Sequence, residues 1–221
     1  GKTPLVRNLG GLLRPRSGCI LLDVKDFTAM SSVERLEIRR SRGMCFPGSA
    51  RHGSLSVAVN DALPLREHTM LEESTIEIMT RIKLELVGLS GVEEYLPSEL
   101  SGGMRKRAGI ARAMAMDPKI IFYDEPSAGL DPIVAAGLDE LIRTMQSTFN
   151  LTSVVVTHEM ESVKIIADRV CVLHKGRVAG VGTLAELEQT DHPYIQQFFA
   201  RRPDDSDLAD AAYARSLTDI D

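Results

Sequence analysis

The sequence predicts an α/β chain: a mainly parallel sheet with helices on both faces and an α-helical subdomain inserted into it. Two patterns carry that expectation. Apolar runs at residues 120–123, 154–156 and 170–173 are separated by helical stretches, and strands that alternate with helices form parallel sheets covered on both faces. Over residues 54–98, Leu71, Ile76, Ile78, Met79, Ile82, Leu84, Leu86 and Val87 recur near the 3.6-residue period among Glu, Arg and Lys, which is helical patterning. The 221 residues suffice for one substantial core, or one core with a small attached subdomain.

Each element has its own signal. An amphipathic stretch ends at Pro15 and Gly18, and residues 19–24 then read as a short strand. Residues 31–42 form a Ser-led, Arg-rich segment whose arginines read as a solvated helix face, and residues 43–46 are strand-like. Ser101 is a natural N-cap for a helix over 104–113, whose apolar period is backed by long basic side chains on its other face. Between Val172 and Val178 the pair Lys175-Gly176 predicts a tight hairpin turn. Thr183-Leu184-Ala185-Glu186 matches a capping box at the start of the last helix. From Pro203 the chain is rich in Asp and poor in apolar residues, and is expected to be mobile.

Composition narrows the function. With 43% hydrophobic and 26% charged residues, no Trp, and no apolar run near the roughly 20 residues a membrane span needs, any membrane role is expected through a partner. A formal net charge of -5 argues against generic nucleic-acid binding, which leaves a basic footprint. Cys19, Cys45 and Cys171 are far apart with no C-x-x-C spacing. Neither a zinc site nor a disulfide framework is indicated, and they are expected to be buried thiols in a reducing cytosol.

The residues that carry chemistry come in three groups. Gly1-Lys2-Thr3 matches the end of the phosphate loop G-x-x-x-x-G-K-[ST]. There, backbone N–H groups cradle phosphates, the Lys meets the β- and γ-phosphates, and the hydroxyl ligates Mg²⁺. Alone the triplet is weak, because three residues match by chance in unrelated chains. Strand 120–123 runs into Asp124 and Glu125, at the edge where a parallel sheet opens to ligand. Asp124 is placed to orient a Mg²⁺ shell, and Glu125, pointing the other way, to accept a proton from an attacking water; a solvated strand end is the alternative. Gly102 and Gly103 follow Ser101 in the first helical turn at roughly 1 kcal/mol each against Ala. Something should need their bare backbone, and close approach to a phosphate would; the alternative is a capped helix without a ligand.

Taken together and in this order, Leu100-Ser101-Gly102-Gly103-Met104 resembles the signature of ABC-transporter ATPases, and residues 120–125 downstream resemble their Walker B strand. Ser127-Ala128-Gly129-Leu130-Asp131 is similar to the D-loop of that family, and Val156-Thr157-His158 to the strand that delivers its switch histidine. Pro64 to Thr69 and Gly102 to Arg107 are similar to the cassettes of Mla-type systems, which move phospholipids between bacterial membranes with an Mce-domain partner. The resemblance spans the chain to about Arg202.

It implies a P-loop NTPase (RecA-like) core at 1–47 and 116–200, a helical subdomain at 48–115 and an acidic tail at 201–221. ATP and Mg²⁺ are the implied ligands, with Gly1, Lys2, Thr3, Ser101, Gly102, Gly103 and Asp131 on the nucleotide and Thr3 and Asp124 on the metal. Glu125 and His158 are the implied catalytic pair, His158 contacting the γ-phosphate and holding the water and Glu125 in register. A homodimer is implied in which Ser101, Gly102 and Gly103 act on the ATP of the other subunit. So are integral membrane permease subunits and a position on the cytoplasmic face of the bacterial inner membrane.

Three departures stand against the family pattern. The first strand, with its adenine-stacking aromatic, and most of the P-loop are expected upstream of Gly1. Pro4 follows Thr3 and should bias it away from helix. Pro47 stands where the family has its Q-loop Gln. A degenerate or truncated cassette that no longer turns over ATP, and an ABC ATPase with a non-transport role, are the alternative readings.

Overall fold

The computed structural model describes residues 2–22, 25–46 and 52–203. The chain falls into two units, the first spanning Lys2–Ile166 and the second beginning at Ala167. Gly1, Pro47 and the tail from residue 204 lie outside the described residues, as do Asp23 and Val24.

The first unit opens with α1 (Lys2–Leu9), followed by the two-residue strands β1 (Leu21–Leu22) and β2 (Lys25–Asp26), which pair antiparallel. The strand expected over 19–24 is thus reduced to Leu21–Leu22 among the described residues. α2 (Ser32–Arg40) starts at a capping box in which the Ser31 hydroxyl accepts from the Glu34 N–H while the Glu34 carboxylate accepts from the Ser31 N–H. These hydrogen bonds hold the Glu34 carboxyl below its ordinary range. α2 buries no residue, and its arginines are solvated or half-exposed.

β3 (Arg42–Cys45) leads towards the helical segment α3 (Val57–His68) and α4 (Glu73–Leu86). Buried Asn60 organises the entry to α3: its amide donates to the carbonyls of His52, Leu55 and Ser56, and its Oδ1 accepts from the His52 N–H. A short 3₁₀ turn at Pro97–Glu99 precedes α5 (Gly102–Ala113), and β4 (Ile120–Asp124), α6 (Pro132–Phe149), β5 (Thr152–Val156) and α7 (Met160–Ile166) complete the unit.

The strands β3, β4 and β5 form one parallel sheet in that order, with Gly43 opposite Ile121 and Asp124 opposite Val156. A Cβ on Gly43 would meet Ala113 of α5, whereas a Cβ on Gly10, just after α1, would meet the Met44 side chain. Neighbouring strand residues face opposite ways, so α1 and α5 cover opposite faces of the sheet. The main core joins Ile121 and Tyr123 of β4 to Ala108 and Ile110 of α5 and to Leu138 and Ile142 of α6.

In the second unit, β6 (Val170–His174) and β7 (Arg177–Gly182) form an antiparallel hairpin through Lys175 and Gly176, at φ +46° and +76°. The third apolar run therefore pairs with its own hairpin partner β7, because two consecutive positive-φ residues turn the chain straight back. α8 (Leu184–Glu188) begins at the expected Thr183–Glu186 capping box but is not the last helix: a new one, α9 (Pro193–Phe199), starts at Pro193, whose ring suits a first helical position, and packs Ile195 against Val172 and Leu187. Cys19 and Cys171 are exposed and Cys45 is half-buried, so the expectation of three buried thiols fails. Cys171 is solvated beside buried Val172 in a two-stranded sheet, where successive side chains face opposite ways.

Asp139 of α6 is a buried carboxyl whose affinity for its proton is raised by burial, against a Ser162 hydrogen bond that opposes the rise. An unfolded chain ionises this group at a lower pH than the folded one, so stability falls as pH rises from the ordinary Asp value of about 4 through the raised one. Asp139→Asn is expected to melt higher than the parent at pH 7–8, with the advantage vanishing near pH 4. Thermal melts across that range, with no gain at neutral pH as the contrary result, check this.

Candidate functional site

The C-terminal ends of β4 and β5 and the start of α1 converge on one cluster. Asp124, the last residue of β4, is 1% exposed. Its Oδ1 accepts a hydrogen bond from the Thr3 hydroxyl at 3.2 Å, while its Oδ2 is buried with no hydrogen-bond partner. Thr3 is helical: α1 begins at Lys2 and places Pro4 in its first turn. The expected bias of Thr3 away from helix is not followed, and Pro4 itself is accommodated because in a first turn its missing N–H has no intrahelical acceptor to lose.

Glu125 follows in a left-handed conformation, φ +51°, which costs an ordinary L-residue roughly 1–2 kcal/mol and runs against the extended bias that Pro126 imposes on it. Strain of this kind survives only where the surroundings over-determine it, and here four contacts do. The Glu125 N–H donates to the Val156 carbonyl at 2.8 Å, and the Lys106 ammonium donates to the Glu125 carbonyl at 2.9 Å. Its Oε2 lies 2.9 Å from His158 Nδ1, and its Oε1 lies 3.7 Å from Lys2 Nζ. Lys2 also donates to the Thr157 carbonyl at 3.3 Å. The structure thus brings Lys2, Thr3, Asp124, Glu125 and His158 together, with a buried carboxylate pointing to one side and a carboxylate, an imidazole and an ammonium gathered on the other.

Ser101, Gly102, Gly103 and Asp131 form a second group. The Ser101 hydroxyl caps α5 by accepting from the Met104 N–H at 3.2 Å. Asp131 caps α6, its Oδ1 accepting from the Ile133 and Val134 N–H groups at 3.1 Å each. A Cβ on Gly103 would come within 2.6 Å of Val134 Cγ1, and one on Gly102 within 3.3 Å of Leu130 Cδ2. The bare backbone of this turn therefore has a cause inside the chain, the close packing of α5 on α6, which the sequence argument from phosphate alone does not include. Ser101 and Asp131 are exposed and Gly103 is buried. The remaining expected nucleotide residue, Gly1, lies outside the described residues.

Two contributors escape a sequence reading. Lys106 reads as part of a basic helix face, yet its stem lines a small hollow with Cys45, Phe46 and Pro126, and burial pushes its ammonium below the ordinary Lys range. Its neighbours Arg105 and Arg107 likewise reach backbone carbonyls, those of Leu100 and of Val87 and Gly137. Ser162 shares a buried hydroxyl contact of 3.2 Å with Ser127, tying the segment after Glu125 to the helix after His158. No local pattern marks either residue, since each partner is distant in sequence.

The donor set fits a hard cation. Thr3 and Asp124 offer oxygen ligands, one of them a buried carboxylate oxygen without a partner. Among the described residues no group of three or more His, Cys, Asp or Glu could hold a metal unaided. Mg²⁺ suits such a site, because it binds through one or two protein oxygens and takes its other ligands from water and substrate phosphates.

Comparison with known proteins gives the chain a family. A family described as "ABC transporter" matches residues 1–128. The chain is 42% identical over 204 residues to the intermembrane phospholipid transport system ATP-binding protein MlaF of Haemophilus influenzae, covering 92% of this chain and 77% of that protein. It is also 42% identical over 202 residues to the probable ribonucleotide transport ATP-binding protein mkl of Mycobacterium leprae, covering 91% of this chain but only 58% of that one, little more than half its length. Among solved structures, cbiO1 of Clostridium perfringens, part of a cbiONQ transporter complex, superimposes with a TM-score of 0.77 at 30% identity over 89% of this chain and 78% of its own. A dimeric ATP-binding cassette in a post-hydrolysis state with ADP and phosphate superimposes at 0.75, with 26% identity over 83% of this chain and 81% of its own. With its fold, its ordered motifs and more than half its length accounted for in this way, the chain belongs to the ABC transporter family, as one of its ATP-binding, P-loop ATPase cassettes.

Proposed function

We propose that this subunit hydrolyses ATP to drive phospholipid movement across the bacterial cell envelope. The observation that supports it best is the placement of Thr3 on Asp124 and of Lys2 and His158 on Glu125, at the open edge of the parallel sheet. Lys2 offsets charge on the terminal phosphates, and Thr3 with Asp124 holds Mg²⁺. When bound, that ion supplies Lewis-acid neutralisation of the phosphate oxygens. Glu125 accepts a proton from the water that attacks the γ-phosphorus, and His158, hydrogen-bonded to the Glu125 carboxylate, keeps base and water in line. The products are ADP, inorganic phosphate and the released proton.

The segment 48–115 acts as the subdomain that presents Ser101, Gly102 and Gly103 to the ATP of a second copy, so that two shared sites form in a homodimer, with Asp131 of the ATP-binding core also on the nucleotide. Integral membrane permease subunits hold the pair on the cytoplasmic face of the inner membrane, with an Mce-domain protein as the lipid-binding partner. Among the described residues no helix is long and apolar enough to cross a membrane. The lipid reading rests on the likeness to the Haemophilus influenzae protein over 92% of the chain.

Its test is reconstitution of the full-length protein with its membrane subunits in vesicles carrying a fluorescent phospholipid. ATP-dependent lipid movement that is lost in Glu125→Gln is the expected result. ATP turnover stimulated by a solute of another class, with no lipid moved, would contradict the substrate and leave the ATPase reading standing.

A further inference from the structure

Among the four contacts that hold Glu125, one comes from the helix that carries Ser101, Gly102 and Gly103. Lys106 lies one turn beyond Gly103 on α5, and its ammonium donates to the Glu125 main-chain carbonyl at 2.9 Å across 19 residues of sequence. The contact falls on the peptide that fixes where the Glu125 side chain leaves the backbone. That peptide is in a left-handed conformation that neither Glu nor a residue before proline prefers. A hydrogen bond from a charged donor is stronger than a neutral one, more so out of water, and half-buried Lys106 lines a small hollow together with Cys45, Phe46, Gly109, Pro126 and Leu138.

We infer that Lys106 is a positioning residue for ATP hydrolysis: by gripping the Glu125 carbonyl it holds the carboxylate against His158 and locks the register between α5 and the end of β4. It touches no substrate. Its grip makes the position of the base depend on the position of the helix whose N-terminus carries Ser101. A displacement of α5 is thereby felt at Glu125 of the same chain through one hydrogen bond. This inference rests on the reading of Glu125 as the general base.

Desolvation lowers the Lys106 proton affinity while the negative charge of Glu125 and Glu159 and a nearby Cys45 counter it.

The test uses the full-length protein assembled with its membrane subunits. Lys106→Met keeps the stem and removes the donor; it is expected to lower kcat about tenfold or more with KM for ATP within about twofold, since misplacing a catalytic group costs rate and not ground-state binding. Lys106→Arg restores a cationic donor and is expected to recover most of the loss. In a Glu125→Gln background the Met substitution is expected to cost nothing further, because it acts through the group already removed. Faster amide exchange at Glu125, Ser127 and Ala128 in Lys106→Met, with an unchanged melting temperature, separates positioning from folding.

A kcat within twofold of the parent in Lys106→Met overturns the proposal. So does an equal loss in Met and Arg, or a loss that appears in KM. Undiminished turnover in Glu125→Gln alone overturns the reading of the base itself, and the role of Lys106 falls with it.

Discussion

Glu125→Gln is expected to lower ATP turnover of the assembled full-length protein by about 10² or more while leaving ATP binding intact. The amide keeps the size of the side chain and its hydrogen bond to His158, but it cannot take a proton, and a positioned base contributes roughly 10²–10⁴ in rate. The geometry argues for loss in kcat alone. Lys2 and Thr3, the groups assigned to phosphate and metal, contact Glu125 only through an ion pair of 3.7 Å, or not at all, so they have little to lose when its charge goes. His158→Ala should reduce the rate as well. Because His158 is assigned to holding Glu125 and its water, the double variant is expected to be little slower than Glu125→Gln alone. Steady-state phosphate release over a range of ATP concentrations reads both numbers. Unchanged turnover in Glu125→Gln would remove that residue from its role.

Gly43→Val is expected to be the most damaging substitution in the core of the sheet. Gly43 lies in β3 opposite Ile121, and a Cβ built on it would stand 2.4 Å from the Ala113 carbonyl oxygen and 3.1 Å from its carbon. The obstacle is main chain at the end of α5, so no rotamer change relieves it; either β3 leaves the sheet or α5 lifts from it. Overpacking of a well-filled core costs about 1–3 kcal/mol, and the upper end is expected where backbone must move. For a chain of this size, about 3 kcal/mol lowers Tm by roughly 6–12 °C. Gly53→Ala is the control, since a Cβ there meets nothing within 4 Å, and it should melt within a degree or two of the parent. Equal melting temperatures for Gly43→Val and the parent would show that the contact between β3 and α5 yields more readily than the packing indicates.

Much of the architecture is legible in the residues themselves, and the reason is locality. Runs such as Ile120 to Tyr123 declare buried strands, Ser101 and Thr183 declare helix starts through bonds three residues long, and Lys175-Gly176 declares a hairpin turn because its glycine accepts a positive φ. The cluster of Lys2, Thr3, Asp124, Glu125 and His158 is legible through motif order, since Asp124, Glu125 and His158 stand at or just past the ends of predictable strands and Lys2 and Thr3 belong to a phosphate-loop triplet.

What resists a sequence reading is set by distance along the chain. Lys106 meets the Glu125 carbonyl, Ser162 meets Ser127, and Gly103 makes room for Val134. None of these pairs shares a local period. The exposure of Cys171 follows from its place on a two-stranded hairpin, which an apolar run of four residues cannot distinguish from a buried parallel strand.

The most direct test of the account is phosphate release from Mg²⁺-ATP by the full-length protein assembled with its membrane subunits. The expected result is turnover that EDTA abolishes and Asp124→Asn reduces, because the buried Asp124 carboxylate and the Thr3 hydroxyl are the protein oxygens assigned to the cation. Turnover that persists in EDTA, or that Asp124→Asn leaves untouched, would contradict it.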